Sequence, residues 1–147
     1  MKNAAISIAT TPEAIRRCHP VMRELRTHIH NAERFVERVQ RQQKEGYLLA
    51  FLEAENEVRA VAGYRLVEKL LTGPYLYVDD LVTRESDPSH EYGSQLFDWL
   101  IEQAREHGCE HLELDSNVQR FDAHRFYFLK GMRISAHHFK IKIVHGH

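Results

Sequence analysis

Cysteine is scarce: Cys18 and Cys109 are the two in 147 residues. They stand alone, in no metal-ligand spacing, which excludes a disulfide scaffold and a thiolate zinc site and fits a reducing compartment. Four prolines and seven glycines, nowhere clustered, leave no linker, collagen-like repeat or low-complexity tract. No apolar run approaches the roughly 20 residues of a membrane span. Met1-Lys2-Asn3-Ala4 opens no apolar leader, so a cytoplasmic location and no membrane partner are expected. Surplus charge is missing as well. Twenty Lys and Arg face 21 Asp and Glu, a net of −1, so no global field holds the chain on nucleic acid or an anionic bilayer.

What remains is the composition of a folded enzyme-sized domain: 43% hydrophobic, 10% aromatic and 28% charged residues. A chain of this length buries roughly 68–70% of its unfolded surface, enough for one domain over residues 1–147. Charge is uneven along it. Residues 16–44 hold eight positive side chains against Glu24, Glu33 and Glu37, a local net of +5. Residues 85–115 hold nine carboxylates against Arg105, a net of −8. Such runs are mostly solvated faces; the alternative is a basic surface for an anionic partner.

Periodicity orders the elements. Ala4–Ala9 reads as a strand. Thr11-Pro12 starts a helix carrying Ile15, Cys18, Val21, Met22, Leu25 and Ile29, with a break or kink expected near His19 because of Pro20. A second helix spans about Ala32–Lys44. Tyr47–Glu53 and Val58–Val67 form a hairpin around Glu55-Asn56, and Tyr75–Thr83 follows as a third long strand. The clearest helix runs from about Tyr92 to His107, with Gly93, Leu96, Phe97, Leu100, Ile101 and Ala104 on one stripe and Gly108 as its stop. His111–Asp115 is a short strand, Asp122–Leu129 a helix ended by Gly131, and Ile134–Val144 a last, half-exposed strand. The fold class is α/β with a mixed, twisted central sheet of six to seven strands and flanking helices. Its Tyr75–Asp115 segment is a right-handed crossover between parallel strands.

Three segments then resemble the GNAT superfamily of acyl-CoA-dependent N-acetyltransferases. Tyr77-Val78-Asp79-Asp80-Leu81-Val82-Thr83 is similar to the family's fourth strand. Tyr92-Gly93-Ser94-Gln95-Leu96 resembles the end of its pyrophosphate loop and the helix after it. Ala123-His124-Arg125-Phe126-Tyr127, with Gly131-Met132 three residues on, matches the family's A-x-x-F-Y-x-x-x-G-F/M pattern. The run from Leu114 to Tyr127 is similar to a bacterial subgroup. The resemblance implies acetyl-CoA as co-substrate, with Leu81, Val82 and Thr83 pairing its pantetheine arm. It places Ser89, His90, Glu91, Tyr92, Gly93 and Ser94 at the pyrophosphate, with Phe126 also at the cofactor. The family's loop reads Gln or Arg, two residues, Gly, one residue, Gly or Ala. Here Pro88 stands at the first position and Glu91 at the first glycine. Proline removes an N–H donor, and a carboxylate repels phosphate by roughly 1 kcal/mol at 4 Å in water. Weakened cofactor affinity is the expectation.

Each step of such a transfer asks for a particular group. Tyr127 sits where the family places its general acid; a phenol stays protonated at neutral pH and can protonate a departing thiolate. A core aromatic beside Phe126 and Phe128 is the plain alternative. An ammonium must lose a proton before it attacks. Asp79 and Asp80 are the candidate acceptors, on adjacent strand positions and so expected on opposite faces, with Asp80 preferred. Glu113 and Asp115 are weaker candidates. His138 could line an acceptor pocket, and neither His137-His138 nor His145-x-His147 has metal-ligand spacing, so no metal is expected.

The reading is an N-acetyltransferase that acetylates a primary amine of a small molecule or peptide by direct attack in a ternary complex. The acceptor would bind between Val21–His30, Arg34–Lys44 and the final strand. The alternative is a catalytically impaired GNAT-fold binding or regulatory module. The oligomeric state is open, with a homodimer one option.

Overall fold

Alternating apolar residues build the sheet. In the computed structural model, which describes residues 4–87 and 91–146, five strands lie in the order of the chain: β1 (Ala4–Ile8), β2 (Leu48–Ala54), β3 (Glu57–Lys69), β4 (Gly73–Thr83) and β5 (His111–Leu114). The first three pairings are antiparallel and β4–β5 is parallel. The β2–β3 turn falls on Glu55 and Asn56, whose φ values of 56° and 63° are the left-handed pair that matches hairpin twist.

Successive strand residues face opposite layers. Leu49, Phe51 and Val61 meet Ile15, Cys18 and Val21 of α1 (Pro12–Leu25) and Phe35 and Val39 of α2 (Ala32–Gln43). Ala50, Leu52, Ala62 and Leu76 meet Leu96, Leu100 and Ala104 of α3 (Glu91–Glu106), the crossover helix between β4 and β5. Thr11 caps α1 by accepting from the Ala14 amide at 3.1 Å, and Asn31 caps α2 by accepting from Glu33 and Arg34.

Of the break or kink expected at Pro20, no break forms: α1 runs from Pro12 to Leu25 through it. Its missing N–H would have met the Arg16 carbonyl. Both residues are on the exposed face, where water can satisfy that oxygen.

The described residues divide into two compact units between Leu114 and Asp115. In the second unit, α4 (Phe121–Leu129) closes on Gly131 at φ 90°, with the Met132 amide donating to the Tyr127 carbonyl at 3.0 Å. Residues 132–146 hold neither helix nor strand, so the expected strand Ile134–Val144 is absent and the sheet has five strands rather than six to seven. Alternation of Phe139, Ile141 and Ile143 with His138, Lys140 and Lys142 expresses only propensity. A strand forms when a ladder partner is present, and these apolar side chains stay exposed.

Candidate active site

Two irregularities in the sheet carry charged groups. Between β3 and β4 the register passes from Gly63↔Asp80 to Tyr64↔Val78, so Asp79 is the extra residue of a β-bulge. In a regular strand Asp79 and Asp80 would point to opposite faces. The bulge cancels that alternation, and both line one cleft of about 560 Å3. The opposite-face expectation is thereby corrected. Arg26, His28 and Arg38 line the cleft from the helical side, and Tyr47, Arg65 and Tyr77 from the sheet.

Hydrogen bonds fix the pair. Asp80 accepts from Arg26 Nε on Oδ1 and from the Tyr47 hydroxyl on Oδ2, each at 2.8 Å. Asp79 Oδ2 accepts from Arg65 Nε at 2.9 Å, and Arg65 Nη2 donates to Gln42 Oε1 at 3.0 Å. Arg26 also donates to the Asp79 carbonyl at 2.8 Å. The Arg65 guanidinium lies 5.3 Å from the centre of the Tyr47 ring. Gly63 is required beneath them, because a β-carbon there would overlap the Tyr47 hydroxyl and Asp80 Oδ2. Burial raises the Asp79 carboxyl above its ordinary value while Arg65 pulls it down. Burial, and next Asp80, raises the Tyr47 phenol well above 10.0, so Tyr47 remains a donor.

Arg26, Gln42, Tyr47 and Arg65 were not singled out from sequence. One signal was there: Arg65 interrupts an apolar strand, where a charge needs a partner. Arg59 interrupts the same strand. It is the extra residue of a second bulge, between Leu52↔Ala60 and Glu53↔Val58. Buried, it donates to the Ala54 carbonyl at 3.1 Å and to Asp87 Oδ1 at 3.0 Å. Arg84 reaches the same Asp87 carboxylate at 3.2 Å. These contacts anchor the chain as it leaves β4.

Leu81, Val82 and Thr83 pair on one side with Ala62, Val61 and Ala60. On the other side the β4–β5 ladder ends at Val78↔Leu114, and among the described residues no strand continues it along Asp79–Thr83. Glu91, Tyr92, Gly93 and Ser94 form the first turn of α3. A β-carbon on Gly93 would strike Thr83 Oγ1, so this turn comes down directly on the end of β4. Glu91 Oε1 accepts from Gln95 Nε2 at 3.3 Å, one turn along the helix. Tyr92 lies under the Arg59 guanidinium, 5.8 Å from ring centre. Pro88, Ser89 and His90 lie outside the described residues.

Tyr127 and Phe126 belong to the second unit, on α4, with their rings edge to face at 5.7 Å. Burial raises the half-buried Tyr127 phenol, and Arg120 opposes that. Asp115 falls outside β5, which ends at Leu114, one residue short of the expected His111–Asp115 strand. It lies 3.2 Å from His138 Nδ1. Among the described residues no group of three or more His, Cys, Asp or Glu side chains could hold a metal ion, and no helix is long and apolar enough to cross a membrane.

The sequence and the fold have known counterparts. Over 133 residues, 89% of this chain and 93% of the relative, it is 35% identical to the uncharacterized N-acetyltransferase YhdJ of Bacillus subtilis. A shorter stretch of 63 residues, 43% of this chain and 40% of the relative, is 41% identical to the aminoalkylphosphonate N-acetyltransferase of Salmonella typhimurium. An aminoglycoside N-acetyltransferase solved in complex with CoA shares the fold at a TM-score of 0.83 and 9% identity, covering 97% of this chain and 96% of that one. The family model for GNAT acetyltransferases matches residues 11–131, which takes in the cleft, the open edge of β4 and α4, and the chain therefore belongs to the acetyltransferase (GNAT) family.

Proposed function

We propose that this protein transfers an acetyl group from acetyl-CoA to a primary amine by direct attack in a ternary complex. The observation that carries the reading is the gathering of Asp79 and Asp80 by one bulge into a cleft, at the point where β4 parts from β5. Since the family match runs from residue 11 to 131, across the division at Leu114, the two units are read as one catalytic domain. A cleft of this size suits a small-molecule amine better than a folded protein, and one partial relative is named for acetylating an aminoalkylphosphonate.

The residues present fit an acyl-CoA. Backbone along Leu81–Thr83 offers an amide-bearing arm a strand edge that no strand pairs among the described residues. The first turn of α3 at Gly93, set close on Thr83, offers helix-end amides to phosphate. When bound, acetyl-CoA supplies an activated carbonyl and a thiol leaving group. The chain supplies proton management. Both Asp80 oxygens already accept hydrogen bonds, whereas Asp79 Oδ1 has no donor among the described residues. Asp79, lifted by burial, is therefore the oxygen that holds the substrate ammonium and accepts its proton; Asp80 positions it through Arg26, which also binds the Asp79 carbonyl. Tyr127, kept protonated by burial, gives its proton to the departing sulfur.

Release of free thiol from acetyl-CoA in the presence of a panel of primary amines tests the reading. Turnover is expected, with Tyr127→Phe lowering kcat roughly 10²-fold or more at unchanged fold. Unchanged turnover in that variant removes Tyr127 from the chemistry. Absence of both thiol release and any thermal shift with millimolar acetyl-CoA would leave a binding module instead. Binding at one hundred times Kd should add about 2.7 kcal/mol.

A further inference from the structure

Three arginines line the cleft, and two of them are already engaged. Arg26 is held by Asp80 and Arg65 by Asp79. Arg38, on the exposed side of α2, has no ion pair or hydrogen bond among the described residues. Three arginines against two aspartates leave the cleft a formal surplus of one positive charge. A plain alkylammonium would bring a second uncompensated positive charge into that space. An amine that also bears an acid group brings the anion that Arg38 lacks.

The spacing agrees with the charge. Arg38 and Gln42 are four residues apart on one helix, so their side chains are neighbours about 5–6 Å apart at Cβ. Gln42 is joined to Asp79 through Arg65 by hydrogen bonds of 3.0 and 2.9 Å. Arg38 and Asp79 line the same cleft, so one bound molecule can meet Asp79 at one end and Arg38 at the other. A guanidinium fork suits the paired oxygens of a carboxylate or phosphonate.

We propose that the acceptor is an acid-bearing amine, with its carboxylate or phosphonate held by Arg38 while its ammonium lies on Asp79. Arg38 is then a specificity-determining residue. This rests on the amine-acetylating reading of the same cleft.

Calorimetry and thiol release with 2-aminoethylphosphonate, 3-aminopropanoate and n-propylamine test it. The acid-bearing amines should bind at least tenfold more tightly than n-propylamine and show the higher kcat/KM. Arg38→Ala should reduce that preference tenfold or more, and Arg38→Lys should restore part of it. The stronger of the two acid arms names the acid. Equal or better binding of n-propylamine, or a preference that survives Arg38→Ala, overturns the assignment. The two readings fail separately. Calorimetric preference lost in Arg38→Ala without thiol release from any amine sinks the acetyltransfer and keeps the acid site. Thiol release without preference does the reverse.

Discussion

Asp79 and Asp80 are adjacent in sequence, yet their surroundings give them different tasks. Each Asp80 oxygen accepts one hydrogen bond, from Arg26 and from Tyr47, while Asp79 Oδ1 has no donor among the described residues and Asp79 is raised by burial against the pull of Arg65. Removing Arg65 deletes the group that lowers Asp79, so its carboxyl climbs further. If ionised Asp79 is what activity needs, the acidic limb of the kcat/KM profile lies above the ordinary carboxylate value in the native protein. It moves to higher pH in Arg65→Ala and disappears in Asp79→Asn. Profiles of the three proteins check this; a limb that stays in place in both variants assigns the base elsewhere. The aspartates were legible in sequence as candidates, but the face they share was not. That face depends on a bulge opposite Gly63, where Tyr47 and Asp80 crowd out any β-carbon.

Among the elements, α3 was the most legible, since its apolar stripe over Gly93–Ala104 needs only helical period to be seen, and it buries against the sheet as one face. Its start is a compromise. Glu91 complements the helix dipole and reaches Gln95, but it is a carboxylate at a helix end proposed to hold phosphate. The double change Pro88→Arg with Glu91→Gly is expected to tighten acetyl-CoA binding several-fold, in line with a repulsion of about 1 kcal/mol in water. It should also cost the ligand-free protein roughly 0.3–1 kcal/mol for the lost dipole complement. Titration calorimetry and thermal melting read the two effects independently, and unaltered affinity would show that the loop does not govern binding. The last apolar alternation, Ile134–Val144, shows the opposite limit. Period two is visible in it, yet residues 132–146 hold no strand.

At the scale of the molecule, part of the basic run does more than face water. Arg16 of α1 meets Glu33 of α2 at 2.8 Å, and Arg17 meets Glu53 of β2, tying the first helix to its neighbours, though such exposed pairs contribute little each. The core contributes a stronger, pH-dependent term. Cys18, fully buried with its thiol on the Ala14 carbonyl, is raised from 9.0 to about 12 by desolvation. A raised folded value means the fold prefers the protonated thiol. That stability is whole below the unfolded value near 9 and is lost as pH rises toward 12, by roughly 4 kcal/mol at full ionisation. Tyr64, raised to about 12 by burial, acts in the same direction. Alkaline unfolding should therefore begin above pH 9, with Cys18→Ala shifting its midpoint upward. At neutral pH a thiol reagent should modify Cys109 and spare Cys18 until denaturant is added. Rapid modification of both in the native protein would contradict this placement.

Local pattern was enough for the class of fold, the hairpin at Glu55-Asn56, the β4–α3–β5 crossover and the motif at Ala123–Met132, because period, turn chemistry and caps act over a few residues. The cleft required contacts between distant segments: Arg26 with Asp80, Tyr47 with Asp80, and Arg65 with Gln42 and Asp79. Bulges in the sheet decide which way those side chains point. A bulge is a relation between two strands, so neither strand's sequence alone can specify it.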